Sequence, residues 1–246
     1  MKEITKWEPE DFQLEKTTTW NFSERGNWAT HNGRYRGNWS PYVVRNIILR
    51  YSKERDIILD QFLGSGTTLI ESLLTNRRGI GVEINPLVLN IAKESLRFEQ
   101  NLFKKIALKS GDARNLGFIK NNSIDLIATH PPYGNIIRYS KNIRGDLSLL
   151  EISYFLKEMD KVARESYRVL KEKKFCAILI GDIRQKGNVI PLGFNIMNIF
   201  LKNKFILKEI IIKKQNNCKN TGLWEKKSME NNFLLLSHEY LFIFQK

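Results

Sequence analysis

From residue 43 onward, short runs of Ile, Val and Leu alternate with longer stretches whose apolar positions recur every three to four residues. The short runs fit strands buried on both faces of a parallel sheet, and the longer stretches fit helices laid across it. The pattern predicts helices over 41–52, 66–77, 86–98, 148–170 and 191–203. It predicts strands over 57–62, 79–84, 106–110, 124–129, 175–181, 205–213 and 239–245. Seven strands, the last two joined by a hairpin-like excursion instead of a helix, make a doubly wound α/β sheet, mainly parallel, with an antiparallel C-terminal strand. Ligands of such sheets bind beyond the carboxyl ends of the strands.

Residues 1–42 follow a different pattern and are expected to form an arm on the catalytic-domain candidate at 43–246. They hold Trp7, Trp20, Trp28 and Trp39, four of the five tryptophans. Interleaved with Arg25, Arg34 and Arg36, these aromatics suit either stacking on bases with phosphate pairing or packing over a core. RGNW occurs at 25–28 and again at 36–39, around Asn32-Gly33, a tight-turn signal.

Composition narrows the partners. Forty Lys+Arg against 26 Asp+Glu give a charge of +14 in 246 residues, which points to a polyanion. Eight of the lysines lie in 202–227 against two glutamates, and an excursion at about 214–236 adds amides and Trp224. Lys214, Asn216, Asn217, Lys219 and Trp224 are therefore candidates, with the three arm arginines, for contacts to phosphates and base edges. No run approaches 18 apolar residues and MKEITKWEPEDF lacks an apolar core, so a cytoplasmic, soluble protein is expected, with no membrane partner. Cys176 and Cys218 alone cannot build a zinc knuckle or a disulfide framework, and no metal is expected.

Chemistry concentrates at the predicted strand ends. DQFLGSGTT sets Asp60, Phe62, Gly64, Ser65, Gly66, Thr67 and Thr68 between a strand and a helix, where glycines let a ligand approach the backbone. The loop has neither the Lys of a phosphate-binding loop nor the third glycine of the dinucleotide fingerprint, which disfavours a nicotinamide oxidoreductase. Glu83, in VEINP, ends the next strand and suits the two hydroxyls of a ribose. Asp112, in GDAR, follows the third. The fourth runs into His130-Pro131-Pro132-Tyr133, where two prolines fix a rigid turn and remove two donors. That turn presents an aromatic ring on which a planar base could stack.

With DQFLGSGTT, VEINP and HPPY, the chain resembles the S-adenosylmethionine-dependent DNA methyltransferases that modify exocyclic amino groups, over roughly residues 37–246. The resemblance implies the Rossmann-like methyltransferase fold and S-adenosyl-L-methionine as cofactor. Its binding residues would be Ser40, Pro41, the glycine loop, Glu83, Asn85, Asp112 and Ala113, with His130, Pro131, Pro132 and Tyr133 catalytic. It implies double-stranded DNA as partner and leaves room for a cognate restriction endonuclease. The family's tetrapeptide usually begins with Asp, Asn or Ser, and here it begins with His130.

An aromatic amine is a poor nucleophile because its lone pair is delocalised. Acceptors on its N–H bonds, here the Pro131 carbonyl and a bare nitrogen of His130, would favour direct in-line methyl transfer to a flipped-out base. THPPY reads closest to the TSPPY form of cytosine-N4 enzymes, with adenine N6 as the alternative target. An RNA base methyltransferase and a non-catalytic DNA-binding regulator are the rival functions. Cys176 follows Phe175, not a proline, and is expected in the core instead of acting as a nucleophile.

Overall fold

The computed structural model describes residues 4–97, 104–216 and 221–246. Its main sheet has eight strands in the order β1-β9-β10-β6-β5-β2-β3-β4. These are β1 (Thr19–Trp20), β2 (Ile57–Asp60), β3 (Arg78–Glu83), β4 (Ile106–Ser110), β5 (Ile124–Thr129), β6 (Leu170–Ile180), β9 (Ile206–Lys214) and β10 (His238–Gln245). β10 runs antiparallel to both its neighbours, and every other pair is parallel. The strands β7 (Ile183–Gln185) and β8 (Asn188–Ile190) form a separate hairpin. Its two-residue turn has positive φ at Lys186 (51°) and Gly187 (82°), the geometry that matches strand twist.

Successive strand residues point to opposite faces, and the core divides accordingly. Leu59, Ile127 and Phe242 pack under helices α4 (Ile152–Val169) and α5 (Leu192–Lys202), with Phe155, Met159 and Phe200. Their strand neighbours Ile58, Leu126 and Ile243 pack on the other face with Val43, Val44, Ile47 and Ile48 of α1 (Pro41–Tyr51). The α4 positions Ile152, Phe155, Met159, Val162, Ser166 and Val169 are buried at helical spacing, which is why this long polar segment folds as a helix. Helices α2 (Thr67–Leu74) and α3 (Pro86–Ser95) complete the half of the sheet that carries the glycine loop.

Several boundaries differ from the sequence expectation. β6 begins at Leu170, not 175, because the polar stretch LKEKK is paired: Leu170 lies opposite Ile124, and Lys173 N–H donates to the Lys246 carbonyl. Helix α4 begins at Ile152, not 148, because Asp146 caps a separate 3-10 turn at Leu147–Leu149. The excursion between the last two strands contains a helix, α6 (Thr221–Glu230), where none was expected.

The arm supplies an eighth strand that no pattern announced: Thr19 and Trp20 pair with Ile212 and Lys213 at the sheet edge. Trp20 and Trp39 belong to the α1-side core cluster. Trp28 Nε1 donates to Glu71 Oε1 at 2.7 Å, His31 Nε2 lies 2.8 Å from the same oxygen, and Arg45 Nη1 reaches Glu71 Oε2 at 3.2 Å. Glu71 is fully buried, so this cluster ties the arm to α1 and α2 through one carboxylate.

Candidate active site

The parallel pairing puts the ends of β2, β3, β4 and β5 along one edge of the sheet, and with them Asp60, Glu83, Asp112 and His130. A cleft enclosing about 750 Å³, its mouth included, opens there. Phe62, Gly64, Glu83, Asn85, Asp112, Ala113, His130 and Pro132 line it.

The remaining residues of the glycine loop stand behind the wall. Asp60 is buried; its carboxylate accepts from the hydroxyls of Thr68 (2.5 Å) and Thr129 (2.8 Å) and from Phe62 N–H (3.0 Å). It staples the loop to β5 and does not face the cleft. Gly66, at φ +95°, turns the chain into α2, and the Thr67 hydroxyl donates to Asn38 Oδ1 of the arm. Ser65 is buried and also absent from the cleft lining. Glu83 shapes the loop from the other side by accepting Gly64 N–H (3.0 Å) and Asn85 N–H (2.9 Å) on separate oxygens. Burial pushes its carboxyl above the ordinary value despite these bonds. Asp112 is paired with Arg114, which also bonds Glu158 and the Gly145 carbonyl.

Ser40 and Pro41 do not line the cleft. Ser40 is the N-cap of α1: its hydroxyl accepts from Tyr42 N–H and donates to the Arg25 carbonyl, while Pro41 is buried at the first helical position. Their place is taken by Tyr35, Gly37, Asn38 and Trp39, just upstream. On the facing wall stand Tyr139, Gly145, Asp146 and Leu147 from the loop after β5. Tyr35 stacks on Tyr139, with centroids 5.8 Å apart and rings inclined by 22°. The repeated RGNW thus has two uses. Each copy passes through a glycine of positive φ, Gly26 at 92° and Gly37 at 80°, but one turns Trp28 into the core and the other sets Trp39 5.9 Å from the His130 ring. That second repeat was the available signal for the residues missed on this wall.

Around HPPY, only His130 and Pro132 line the cleft; Pro131 is buried, and Tyr133 packs against the core beside Gly181. The Tyr133 hydroxyl donates to Glu239 Oε1 at 2.8 Å and lies 3.1 Å from His130 Nε2. Lys213 Nζ holds the other Glu239 oxygen at 2.9 Å. Burial opposes ionisation of Glu239, but the charges of Lys213 and His130 and the hydrogen bonds from Lys213 and Tyr133 outweigh it and keep the carboxyl below its usual value. Burial also lowers the proton affinity of His130, against the pull of Glu239. His130 Nδ1 is buried and has no hydrogen bond of normal geometry, with the Gly37 backbone close by.

The candidate DNA contacts separate into groups. Arg25 turns inward and donates to the Asn38 carbonyl, so it is withdrawn from any nucleic-acid surface. Arg34, Arg36 and Lys214 are exposed. Asn216 is exposed but ties the excursion to the arm, donating to Asn21 Oδ1 and the Phe22 carbonyl. Trp224 is half exposed with Lys227 over its ring, and Asn217 and Lys219 lie outside the described residues. Cys176 is buried in the core, where desolvation pushes its thiol well up. Among the described residues no helix is long and apolar enough to cross a membrane.

A family model described as DNA methylase matches residues 2–94 and 124–246. Type II methyltransferase M.MjaII of Methanocaldococcus jannaschii is 32% identical over 148 residues, 56% of this chain and 27% of that protein. Type II methyltransferase M.HpaI of Haemophilus parainfluenzae is 44% identical over 64 residues, 26% of this chain and 20% of that protein. A tRNA (guanine(10)-N2)-dimethyltransferase of Methanothermobacter thermautotrophicus is 35% identical over 101 residues, 41% of this chain and 29% of that protein. The chain thus spans less than a third of the length of these relatives. Among solved structures, TrmN from Thermus thermophilus aligns with TM-score 0.59 at 17% identity, covering 86% of this chain and 50% of that one, a likeness of fold. With the family model spanning most of its length and the cleft at its strand ends, the chain belongs to the DNA methylase family, the S-adenosylmethionine-dependent group that methylates exocyclic N6 and N4 amines.

Proposed function

We propose that this protein transfers a methyl group from S-adenosylmethionine to an exocyclic amine of a base in double-stranded DNA, with cytosine N4 as the target. The observation that supports it best is the convergence on one cleft of the glycine loop, Glu83, Asp112 and His130 from four successive parallel strands.

The cleft residues fit this cofactor. Each Glu83 oxygen accepts one backbone N–H and keeps a lone pair for a ribose hydroxyl. A Cβ on Gly64 would come within 3.2 Å of the Tyr35 ring, so the wall is closed to any larger residue there. Phe62, Tyr35 and Tyr139 supply aromatic surface for an adenine, and Asp112, about a third exposed, can accept from an amino group. S-adenosylmethionine, when bound, supplies an electrophilic sulfonium methyl.

The protein's part is to hold the amine in line and draw on its N–H bonds. The acceptors are His130 Nδ1, on a neutral ring buried against the Gly37 backbone, and the carbonyl of the buried Pro131. They move electron density onto the nitrogen as it begins to bond to carbon. The nitrogen gains the methyl carbon and sheds one proton, which the neutral His130 ring can take up. Because the Gly37 backbone lies against His130, the arm has to yield before a base can enter. The base must leave the DNA stack, and its phosphates meet exposed Arg34, Arg36 and Lys214.

A second reading, methylation of an RNA base, is favoured by the tRNA dimethyltransferase among the relatives. The decisive experiment incubates the protein with methyl-labelled S-adenosylmethionine and either unmethylated genomic DNA or transfer RNA, then identifies the labelled nucleoside by mass spectrometry. N4-methylcytosine is expected. N6-methyladenine moves the target base, a labelled ribonucleoside moves the substrate to RNA, and no label on either refutes the reading.

A further inference from the structure

We infer that Glu239, clamped by Lys213, is a positioning residue that sets the tautomer of His130 through the hydroxyl of Tyr133, so that Nδ1 is left unprotonated as an acceptor. The inference rests on the methyl-transfer reading and adds to it two residues outside the motifs of the family.

One chain of hydrogen bonds runs from Lys213 through Glu239 and Tyr133 to His130. Glu239 is the second residue of β10, and the antiparallel register of β10 with β6 and β9 places it beside Gly181, Tyr133 and Lys213. Its carboxylate, ion-paired with Lys213 at 2.9 Å, can only accept. The Tyr133 hydroxyl, 2.8 Å away, must therefore spend its one proton on Glu239. The tyrosine oxygen is then left as an acceptor toward His130 Nε2 at 3.1 Å, so that nitrogen carries the imidazole proton. The neutral ring has one proton to place, and Nδ1 is bare. The opposite tautomer would put two acceptors face to face at 3.1 Å, or leave the Tyr133–Glu239 contact without a proton.

Glu239 Oε1, 3.9 Å from Nε2, attracts a proton on that nitrogen, while the Gly37 backbone draws on the ring in competition with it. Lys213 discourages a second proton on the ring.

A near-isosteric substitution tests the chain. In Glu239→Gln, Lys213 still demands an oxygen, so the amide turns its NH2 toward Tyr133. The tyrosine then donates to His130 Nε2, and the imidazole proton moves to Nδ1, converting the acceptor into a donor. Nitrogen-15 NMR reads the tautomer directly, and the chain has three histidines to assign. The native protein is expected to show the Nε2–H form and Glu239→Gln the Nδ1–H form. In the methylation assay kcat should fall on the order of 10²-fold, the usual cost of losing one polarising hydrogen bond, with KM for S-adenosylmethionine unchanged. Adding Lys213→Met to Glu239→Gln frees the amide to present its oxygen to Tyr133, which should restore the native tautomer and most of kcat. An unchanged tautomer in Glu239→Gln overturns the inference, and so does a switched tautomer with undiminished kcat. A native protein that methylates no nucleic acid overturns the functional reading instead, and the spectrum separates the two failures because it needs no substrate.

Discussion

Asp60 offers a stability test whose sign and size both come from its surroundings. Burial pushes its carboxyl from 3.8 up to about 6, against the opposing hydrogen bonds from Thr68, Thr129 and Phe62. The folded state therefore binds this proton more tightly than the unfolded chain does. The stability it contributes is complete below pH 3.8 and is lost as pH rises through about 6. At 1.36 kcal/mol per pH unit, the displacement corresponds to about 3 kcal/mol. Asp60→Asn has the same shape and no titration. Its mismatch with the Thr68 hydroxyl is a constant offset, because that hydroxyl can rotate. Urea denaturation of both proteins between pH 4 and 7.5, taken as the difference at each pH, removes the contribution of every other carboxylate. The difference should shift by about 3 kcal/mol in favour of the variant, most of it below neutrality. A difference that stays level across this range would refute the claim that an acid kept from solvent braces the loop.

Glu71→Ala removes the common acceptor of Trp28, His31 and Arg45 and leaves a buried guanidinium with Glu8 as its one carboxylate among the described residues, so a loss of about 3–5 kcal/mol in chemical denaturation is expected. Tryptophan fluorescence should report release of the arm in the same variant. In Gly37→Ala the new Cβ would lie 1.9 Å from the Tyr139 hydroxyl on a backbone at φ +80°, forcing Tyr139 off Tyr35. Calorimetric titration should then show weaker S-adenosylmethionine binding, and an unaltered affinity would mean that the Tyr35–Tyr139 pair does not cover the cofactor. Replacing Arg34 and Arg36 together with Ala should reduce the dependence of DNA affinity on salt by nearly two counterions if both meet phosphates.

What the sequence disclosed was what local chemistry encodes. The buried Ile, Leu and Val runs marked the parallel strands, glycines marked the loop before α2, and the carboxylates after β3 and β4 fell on the cleft because consecutive parallel strands end on one side. Contacts made across long separations were not readable. Glu239 is 106 residues from Tyr133, and nothing near it distinguishes it from an edge charge. Tyr35 and Tyr139 meet only because the arm folds back across the sheet end. Arg25 was misplaced because basic residues among aromatics look alike whether the guanidinium reaches outward or, as here, bonds the Asn38 carbonyl. Ser40, expected at the ligand, spends its hydroxyl as a helix cap.

The place of β10 in the strand order bears on how the chain is assembled. β9 and β1 are joined to the rest of the sheet only through β10, and β10 comes after all seven of its companions in the chain. A nascent chain that has left the ribosome as far as β9 thus carries two fragments of sheet with no ladder between them. Insertion of one late strand welds them, at the cost of closing the chain between Ile180 and His238. The same strand brings Glu239 to Tyr133, so the hydrogen bond between them forms only with the final join.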